Sequence, residues 1–116
     1  MVGTIIYIPD CGEAVWITVN PQAGHEESSR RHALVISPES YNRKTGLALF
    51  CPITSRIKGY PFEVIIPDGF PVAGAILSDQ IKNLDWQARN VEYICTLPGD
   101  VMTGVLQKLS AIISNK

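Results

Sequence analysis

Short apolar runs separated by proline, glycine and polar turns are the feature that most restricts the fold of this chain. The runs are rich in β-branched residues and span four to eight residues, which is typical of strands and too short for ordinary helices. We interpret them as strands at residues 12–19, 33–36, 47–53, 63–66, 73–77 and 92–96. The tail differs, because apolar residues repeat there at helical spacing on one stripe, which consists of Val101, Met102, Val105, Leu106, Leu109, Ile112 and Ile113.

Five or six short strands and one closing helix predict a mainly β fold with a C-terminal helix. Among such folds, an SH3-like barrel, with a small and strongly bent sheet, fits the short strands best. We interpret the polar segments at 22–30 and 54–61 as loops and the segment at 41–46 as a turn. We expect one domain over residues 1–116, with its functional residues on the long loops at one end of the barrel.

Charge is distributed unevenly, although the whole chain carries a formal charge of only −1. Residues 30–58 contain six arginines and lysines and a single acid, Glu39, which gives a net of +5 over a quarter of the chain. Such a segment is either ordinary solvated charge on surface loops or a local cationic surface that attracts a polyanion. No apolar run approaches the ~20 residues of a membrane span and no signal peptide is recognisable, so we expect a cytoplasmic protein.

Residue spacing excludes several kinds of active site. Cys11, Cys51 and Cys95 are far apart and form no metal-ligand pattern with His25 or His32, so neither a metal nor another cofactor is expected. Glycine-rich phosphate loops and the serine-hydrolase elbow are also missing. The cationic and hydroxyl-bearing segments that remain suit cleavage of RNA by its own 2′-hydroxyl, a reaction in which arginine stabilises the charge on phosphorus.

A series of short motifs follows in a fixed order between residues 10 and 113. Each motif alone is weak, but their order extends over nearly the whole chain. They are GEAVW at 12–16, GHE at 24–26 followed by Arg31, ALVISP at 33–38, YN at 41–42, KTG at 44–46, PITS at 52–55, KGYPFEV at 58–64 and SDQIK at 78–82. The series resembles the MazF/PemK family of toxins. The resemblance implies a homodimer with an SH3-like barrel that acts as a sequence-specific, ribosome-independent endoribonuclease.

The resemblance also implies the chemistry and the partners. Single-stranded mRNA would be cut without a metal by attack of the 2′-hydroxyl, which leaves a 2′,3′-cyclic phosphate and a 5′-hydroxyl. A MazE-like antitoxin would hold the toxin inactive by placing a flexible acidic segment in the RNA groove. No cofactor and no membrane partner is implied.

The same resemblance implies which residues form the site. Arg31 takes the place of the family's central arginine, Thr54 of its catalytic threonine and Glu26 of the acidic residue in its first loop. His32 stands where the family usually has proline, so we expect it either to pack against its neighbours or to touch RNA. The residues expected to contact RNA are Arg30, Ser55, Arg56, Lys58, Gln80 and His32.

Two other functions stay open at this point. A CcdB-like gyrase poison shares the barrel, but it acts through a Trp-Gly-Ile ending, whereas this chain ends with ISNK at 113–116. A plain binding module would grip a peptide or RNA without cutting it, and His32 in place of proline is the one sequence feature in its favour. We interpret Trp16 and Trp86 as packing residues, in the core or in a dimer interface, rather than as platforms for bases.

Overall fold

Seven strands and two α-helices make up the part of the chain, residues 6–19 and 29–114, that this computed structural model describes. In chain order they are β1 (Glu13–Thr18), β2 (Arg30–Val35), α1 (Glu39–Thr45), β3 (Leu47–Thr54), β4 (Glu63–Ile65), β5 (Ala75–Leu77), β6 (Lys82–Asp85), β7 (Glu92–Thr96) and α2 (Gly99–Ser114). A single 3₁₀ turn, Ser78–Gln80, joins β5 to β6. The predicted mainly β fold with a C-terminal helix is confirmed.

The strands pair antiparallel in one open, barrel-like sheet, in the order β4-β5-β3-β2-β1-β7, with β6 paired to β3 beside this path. The expected five or six strands were too few. β6 was missed because three of its four side chains are exposed, so no apolar run marks it. β2 begins at Arg30 rather than at Ala33, because Thr18, Ile17 and Trp16 of β1 pair with the polar residues at its start. The cationic residues expected in a loop therefore lie on a strand.

The two faces of the sheet bury two separate apolar clusters. Consecutive residues of a strand point to opposite faces, so Ala14 joins the first cluster and Val15 the second. Burial on both faces explains why the sequences of these strands are continuous apolar runs. Trp86 lies in the second cluster, which confirms it as a core residue. The members of the second cluster are Val15, Ile17, Ala33, Val35, Ala48, Phe50 and Trp86.

The predicted C-terminal helix is confirmed as α2, although its apolar stripe is only partly covered. Four stripe residues near its start and middle pack in the first cluster. Leu106, Ile112 and Ile113 are exposed, because the stripe is wider and longer than the surface that β4 and the 3₁₀ turn offer it. Within residues 6–19 and 29–114, no helix has the length and apolar character needed to cross a bilayer.

The segment at 41–46, predicted as a turn, belongs up to Thr45 to the helix α1. The prediction was wrong because the one buried residue of this helix is polar, so no apolar periodicity marks it. That residue is Asn42. Its side-chain amide donates to the backbone carbonyl of Pro9 at 2.7 Å, and its backbone carbonyl accepts the Trp86 indole N–H at 2.9 Å. Gly46 ends the helix in the left-handed conformation, at φ 74°.

Candidate functional site

β2 and β3 separate part-way along their length, and the candidate site lies at this separation. They pair as far as Ala33 opposite Pro52. Beyond that pair, β2 continues beside β1 while β3 continues beside β5, through Ile53 and Thr54. We call this separation the sheet fork. Its two arms are the first residues of β2 and the last residues of β3.

A cavity of about 950 Å³ opens between the arms, and we call it the fork cavity. A space of this size suits a ligand of one or a few nucleotides. Its apolar floor continues the second core cluster through Ile17, Ala33, Phe50, Pro52 and Leu84. The polar and charged side chains around this floor are those of Arg30, Arg31, His32, Thr54, Ser55, Arg56, Gln80, Lys82 and Arg89.

Arg31 and Thr54 lie on opposite arms and line the same cavity. Side chains two residues apart on a strand share a face, so Arg31 points to the side of Ala33, and Thr54 to the side of Pro52. Ala33 and Pro52 are directly opposite each other in the pairing of β2 with β3. All four side chains therefore share one face of the sheet, and the guanidinium and the hydroxyl both point toward the fork cavity.

The two groups differ in how they are held. The Thr54 hydroxyl oxygen accepts the backbone N–H of Arg56 at 3.1 Å, which orients the hydroxyl and leaves its proton free to be donated. Arg31 is exposed, and within the described ranges no carboxylate lies at ion-pair distance from its guanidinium. Its guanidinium lines the cavity.

Gly74 fixes the backbone of the Thr54 arm from behind. A Cβ on Gly74 would lie 2.9 Å from the carbonyl carbon of Thr54 and closer still to its oxygen. The φ of Gly74 is +115°, a conformation that side-chain-bearing residues rarely adopt. Glycine is therefore required both for the close approach and for the backbone conformation.

The loop after β3 carries further cations and is held by a buried carboxylate. Glu63, 9% exposed, accepts the backbone N–H groups of Lys58 and Gly59 at 3.1 and 3.0 Å. The Tyr60 hydroxyl donates to Asp79 at 2.6 Å, and this hydrogen bond raises the pKa of Tyr60. Lys58 lines a smaller adjoining cavity of about 240 Å³, which shares Thr54, Arg56 and Gln80 with the fork cavity.

Arg30 is committed to contacts within the protein. Its guanidinium donates to the Thr18 hydroxyl at 2.7 Å and to Glu92 at 2.6 Å, and so ties β2 to both β1 and β7. Its charge is paired with that of Glu92. Arg30 lines the fork cavity, but its main visible contribution is to hold the arm that carries Arg31.

Two residues considered in the sequence analysis lie outside the described ranges. They are Glu26, expected to be catalytic, and its neighbour His25. Within the described ranges, no three side chains of histidine, cysteine, aspartate or glutamate come together as a group able to hold a metal ion.

The fold and the site can now be compared with known proteins. PemK-like, MazF-like toxins of type II toxin–antitoxin systems match this chain over residues 10–113. The endoribonuclease toxin MazF of Escherichia coli strain K12 is 41% identical over 108 residues, which is 93% of each chain. The chain belongs to the PemK-like, MazF-like toxin family.

Related sequences and solved structures agree with this membership. Endoribonuclease PemK of Escherichia coli is 31% identical over 110 residues, covering 89% of this chain and 80% of PemK. A crystal structure of MazF from Deinococcus radiodurans superposes with a TM-score of 0.85 at 48% identity, over 94% of this chain and 99% of that one. In a MazE-MazF crystal structure from the same organism, the matched chain gives 0.87 at 45% identity, over 95% and 100%. The resemblance inferred from the motifs is confirmed.

Two cations of this toxin's fork cavity were not singled out from the sequence. Lys82 lies on β6, the strand that no apolar run marked, and the SDQIK motif that ends on it was the only available signal. Arg89 donates to the carbonyl of Val19 at 2.6 Å, so it secures the end of β1. That contact joins residues 70 positions apart, which no local pattern indicates.

His32 packs against an aromatic neighbour at the rim of the cavity. Its ring lies 4.2 Å, centre to centre, from that of Trp16, directly across the pairing of β1 with β2. Trp16 is 38% exposed, so it is not a core residue. The packing role considered for His32 fits this contact. A histidine packed in this way also restricts the strand next to Arg31, where the family resemblance led us to expect proline.

We expect His32 to remain neutral at pH 7. Burial beside Trp16 lowers the pKa of its imidazole below the usual 6.5, because burial disfavours the charged form. The folded protein then binds this proton less readily than the unfolded chain, so stability from this group is complete above pH 6.5 and is lost as the pH falls through the lower, folded pKa. A titration of the imidazole NMR signals, assigned with His32→Gln, should give a midpoint below 6.5. A midpoint at or above that value would contradict the burial of the imidazole beside Trp16.

Proposed function

We propose that this chain is a sequence-specific, metal-independent endoribonuclease toxin that cuts single-stranded mRNA. The observation that carries the proposal is the convergence of Arg31 and Thr54 on the fork cavity from its two arms. A charged guanidinium and a free hydroxyl proton face one space there, as stabilisation of a reacting phosphate requires. Relatives at 41% and 31% identity are named endoribonucleases, which supports the same activity here.

The proposed reaction uses the 2′-hydroxyl of the RNA as its nucleophile. The 2′-oxygen attacks the neighbouring phosphorus and forms a 2′,3′-cyclic phosphate, while the 5′-oxygen leaves and takes up a proton. Arg31 binds the non-bridging oxygens with its planar guanidinium, and Thr54 donates a hydrogen bond to the same phosphate. Glu26 or a histidine takes the proton from the 2′-hydroxyl, a role that suits either a carboxylate or a neutral imidazole. No step requires a cofactor or a metal ion.

The remaining site residues bind the RNA around this phosphate. Single-stranded RNA crosses the fork cavity and the adjoining cavity, which share one wall. Cations contact the backbone, while hydroxyl and amide groups contact base edges, as in other recognition of splayed bases. The residues proposed for these contacts are Arg30, Ser55, Arg56, Lys58, Gln80 and His32.

The proposed partners are a second copy of the chain and a MazE-like antitoxin. A relative has been crystallised as a MazE-MazF complex. The fork cavity is lined by the exposed guanidinium groups of Arg31 and Arg56, which suit an acidic antitoxin segment that competes with RNA for the same space. The proposed site of action is the cytoplasm, where mRNA is found, and the proposed unit of folding is a single domain.

Incubation of the purified protein with a long, unstructured RNA in the presence of EDTA tests the function. We expect cleavage at a defined sequence, with 2′,3′-cyclic phosphate ends upstream and 5′-hydroxyl ends downstream. A chelator inactivates contaminating nucleases that depend on a metal ion but leaves a guanidinium site unchanged. End-mapping of the products gives the activity, the chemistry and the sequence preference in one measurement.

The other outcomes are equally informative. RNA that is bound but stays whole would identify a binding module instead of an enzyme. Cleavage that stops in EDTA would show that a metal is needed and would refute the arginine-based mechanism. Products with 3′-hydroxyl and 5′-phosphate ends would exclude the 2′-hydroxyl as the nucleophile.

A further inference from the structure

We propose that Lys82 binds a second backbone phosphate of the RNA, at a distance from the phosphate that is cut. The inference rests on the proposed function, because it concerns the same substrate in the same cavity. It adds a positioning residue to the site. It also implies that the bound RNA runs across the sheet from Thr54 toward Lys82.

The pairing of β3 with its neighbours places Lys82 on the correct face. Lys82 is directly opposite Phe50, and Phe50 shares its face with Pro52 and Thr54 because the strand repeats every two residues. Lys82 therefore points to the same side of the sheet as Thr54 and lines the same cavity.

The distance between the two positions is too long for one phosphate to bridge. Thr54 lies four positions after Phe50 on β3, which corresponds to ~13 Å along the strand. The surface between them is formed by the apolar groups of Ala33, Phe50 and Pro52. Two phosphates of the RNA are therefore held at the two ends of this surface, and a sugar or a base lies between them.

The charge of Lys82 is available for this role. Lys82 is exposed, and among residues 6–19 and 29–114 no carboxylate lies within ion-pair distance of its ammonium group. Two other cations of the cavity are engaged within the protein, because Arg30 is paired with Glu92 and Arg89 donates to the carbonyl of Val19. A lysine ammonium binds phosphate as a point charge and does not require the planar geometry of arginine.

The test measures the salt dependence of binding to an RNA that cannot be cut. The RNA carries a 2′-deoxy nucleotide at the mapped cleavage site, so binding is separated from chemistry. Each phosphate contact with single-stranded nucleic acid contributes about 0.7 to the slope of log K against log salt. We expect Lys82→Ala to reduce the magnitude of that slope by about 0.7 and Lys82→Arg to restore it. Lys44→Ala is the matched control, because Lys44 is an exposed lysine of α1 outside the cavity.

Cleavage kinetics then locate the contact. We expect Lys82→Ala to raise KM and to leave kcat unchanged, because the contact is equally strong in the ground state and the transition state. The rise in KM should disappear when the RNA is shortened to the nucleotides next to the cut on the side that extends toward β6. Shortening the RNA on the other side should leave the rise in KM unchanged.

Failure of this inference is distinguishable from failure of the proposed function. If the wild-type protein does not bind the RNA, the proposed function itself is wrong. If it binds and the Lys82→Ala slope equals that of the wild type, only the second phosphate contact is refuted. A fall in kcat with unchanged KM would place Lys82 at the reacting phosphate and would also overturn the inference.

Discussion

Arg31→Ala is expected to abolish RNA cleavage, with a loss of kcat of at least about 100- to 1000-fold, the usual cost of removing one group that stabilises transition-state charge. Arg31 is exposed, so its removal takes no buried side chain out of the core. The fold should therefore survive the change. Single-turnover cleavage of the mapped RNA measures the loss. Arg31→Lys should recover only part of the rate, because an ammonium cannot bind two phosphate oxygens in a plane.

Arg43→Ala is the matched control for this experiment. Arg43 lies on α1, outside the fork cavity, and is paired with Glu39. An exposed pair of this kind contributes little to stability, so the variant should cut RNA at the wild-type rate. Circular dichroism checks that both variants are folded. Full activity of a folded Arg31→Ala protein would refute the mechanism.

Gly74→Ala is expected to produce the second large effect, because it displaces Thr54. The added methyl group would overlap the backbone at Thr54 and Ser55, and the backbone there cannot move without moving the hydroxyl. A displacement on the order of 1 Å is enough to lower catalysis about 100-fold. The unfavourable φ adds a cost of about 1–3 kcal/mol to the folded state. Thermal unfolding and single-turnover cleavage should both change.

Gly69→Ala separates the displacement of Thr54 from the cost of the unfavourable φ. Gly69 also has a positive φ, +99°, but no atom lies within 4 Å of the Cβ that alanine would add. This variant should lose stability through its backbone conformation alone and keep its rate of cleavage under conditions where it is folded. If both variants lose stability equally and both keep their activity, Gly74 has no part in positioning Thr54.

The parts of the fold that sequence predicted are those in which apolar residues mark an element. The strands of the core and the helix α2 bury continuous or periodic apolar residues, and they were found within a few positions. α1 and β6 were missed for a common reason. The buried residue of α1 is Asn42, held by hydrogen bonds, and β6 is mostly exposed. Apolar periodicity carries no information about either arrangement.

The site was predicted only in part, because its geometry depends on long-range pairing. Family motifs indicated Arg31 and Thr54, which the structure brings to one cavity, but they did not reveal the sheet fork. Arg30 was expected to bind RNA, yet its charge is shared with Glu92, 62 positions away. Lys82 reaches the cavity only through its register opposite Phe50. Contacts of this kind follow from the topology of the sheet and not from any local sequence pattern.

Separate support of the two arms has a consequence for how the substrate preference of such toxins can diverge. The Arg31 arm is supported by β1 and β7, whereas the Thr54 arm is supported by β5 and β4. Inherited substitutions in one set of strands can reshape one wall while the opposite wall keeps its form. New target sequences are therefore accessible through successive single substitutions, and no intermediate has to lose both the Arg31 guanidinium and the Thr54 hydroxyl.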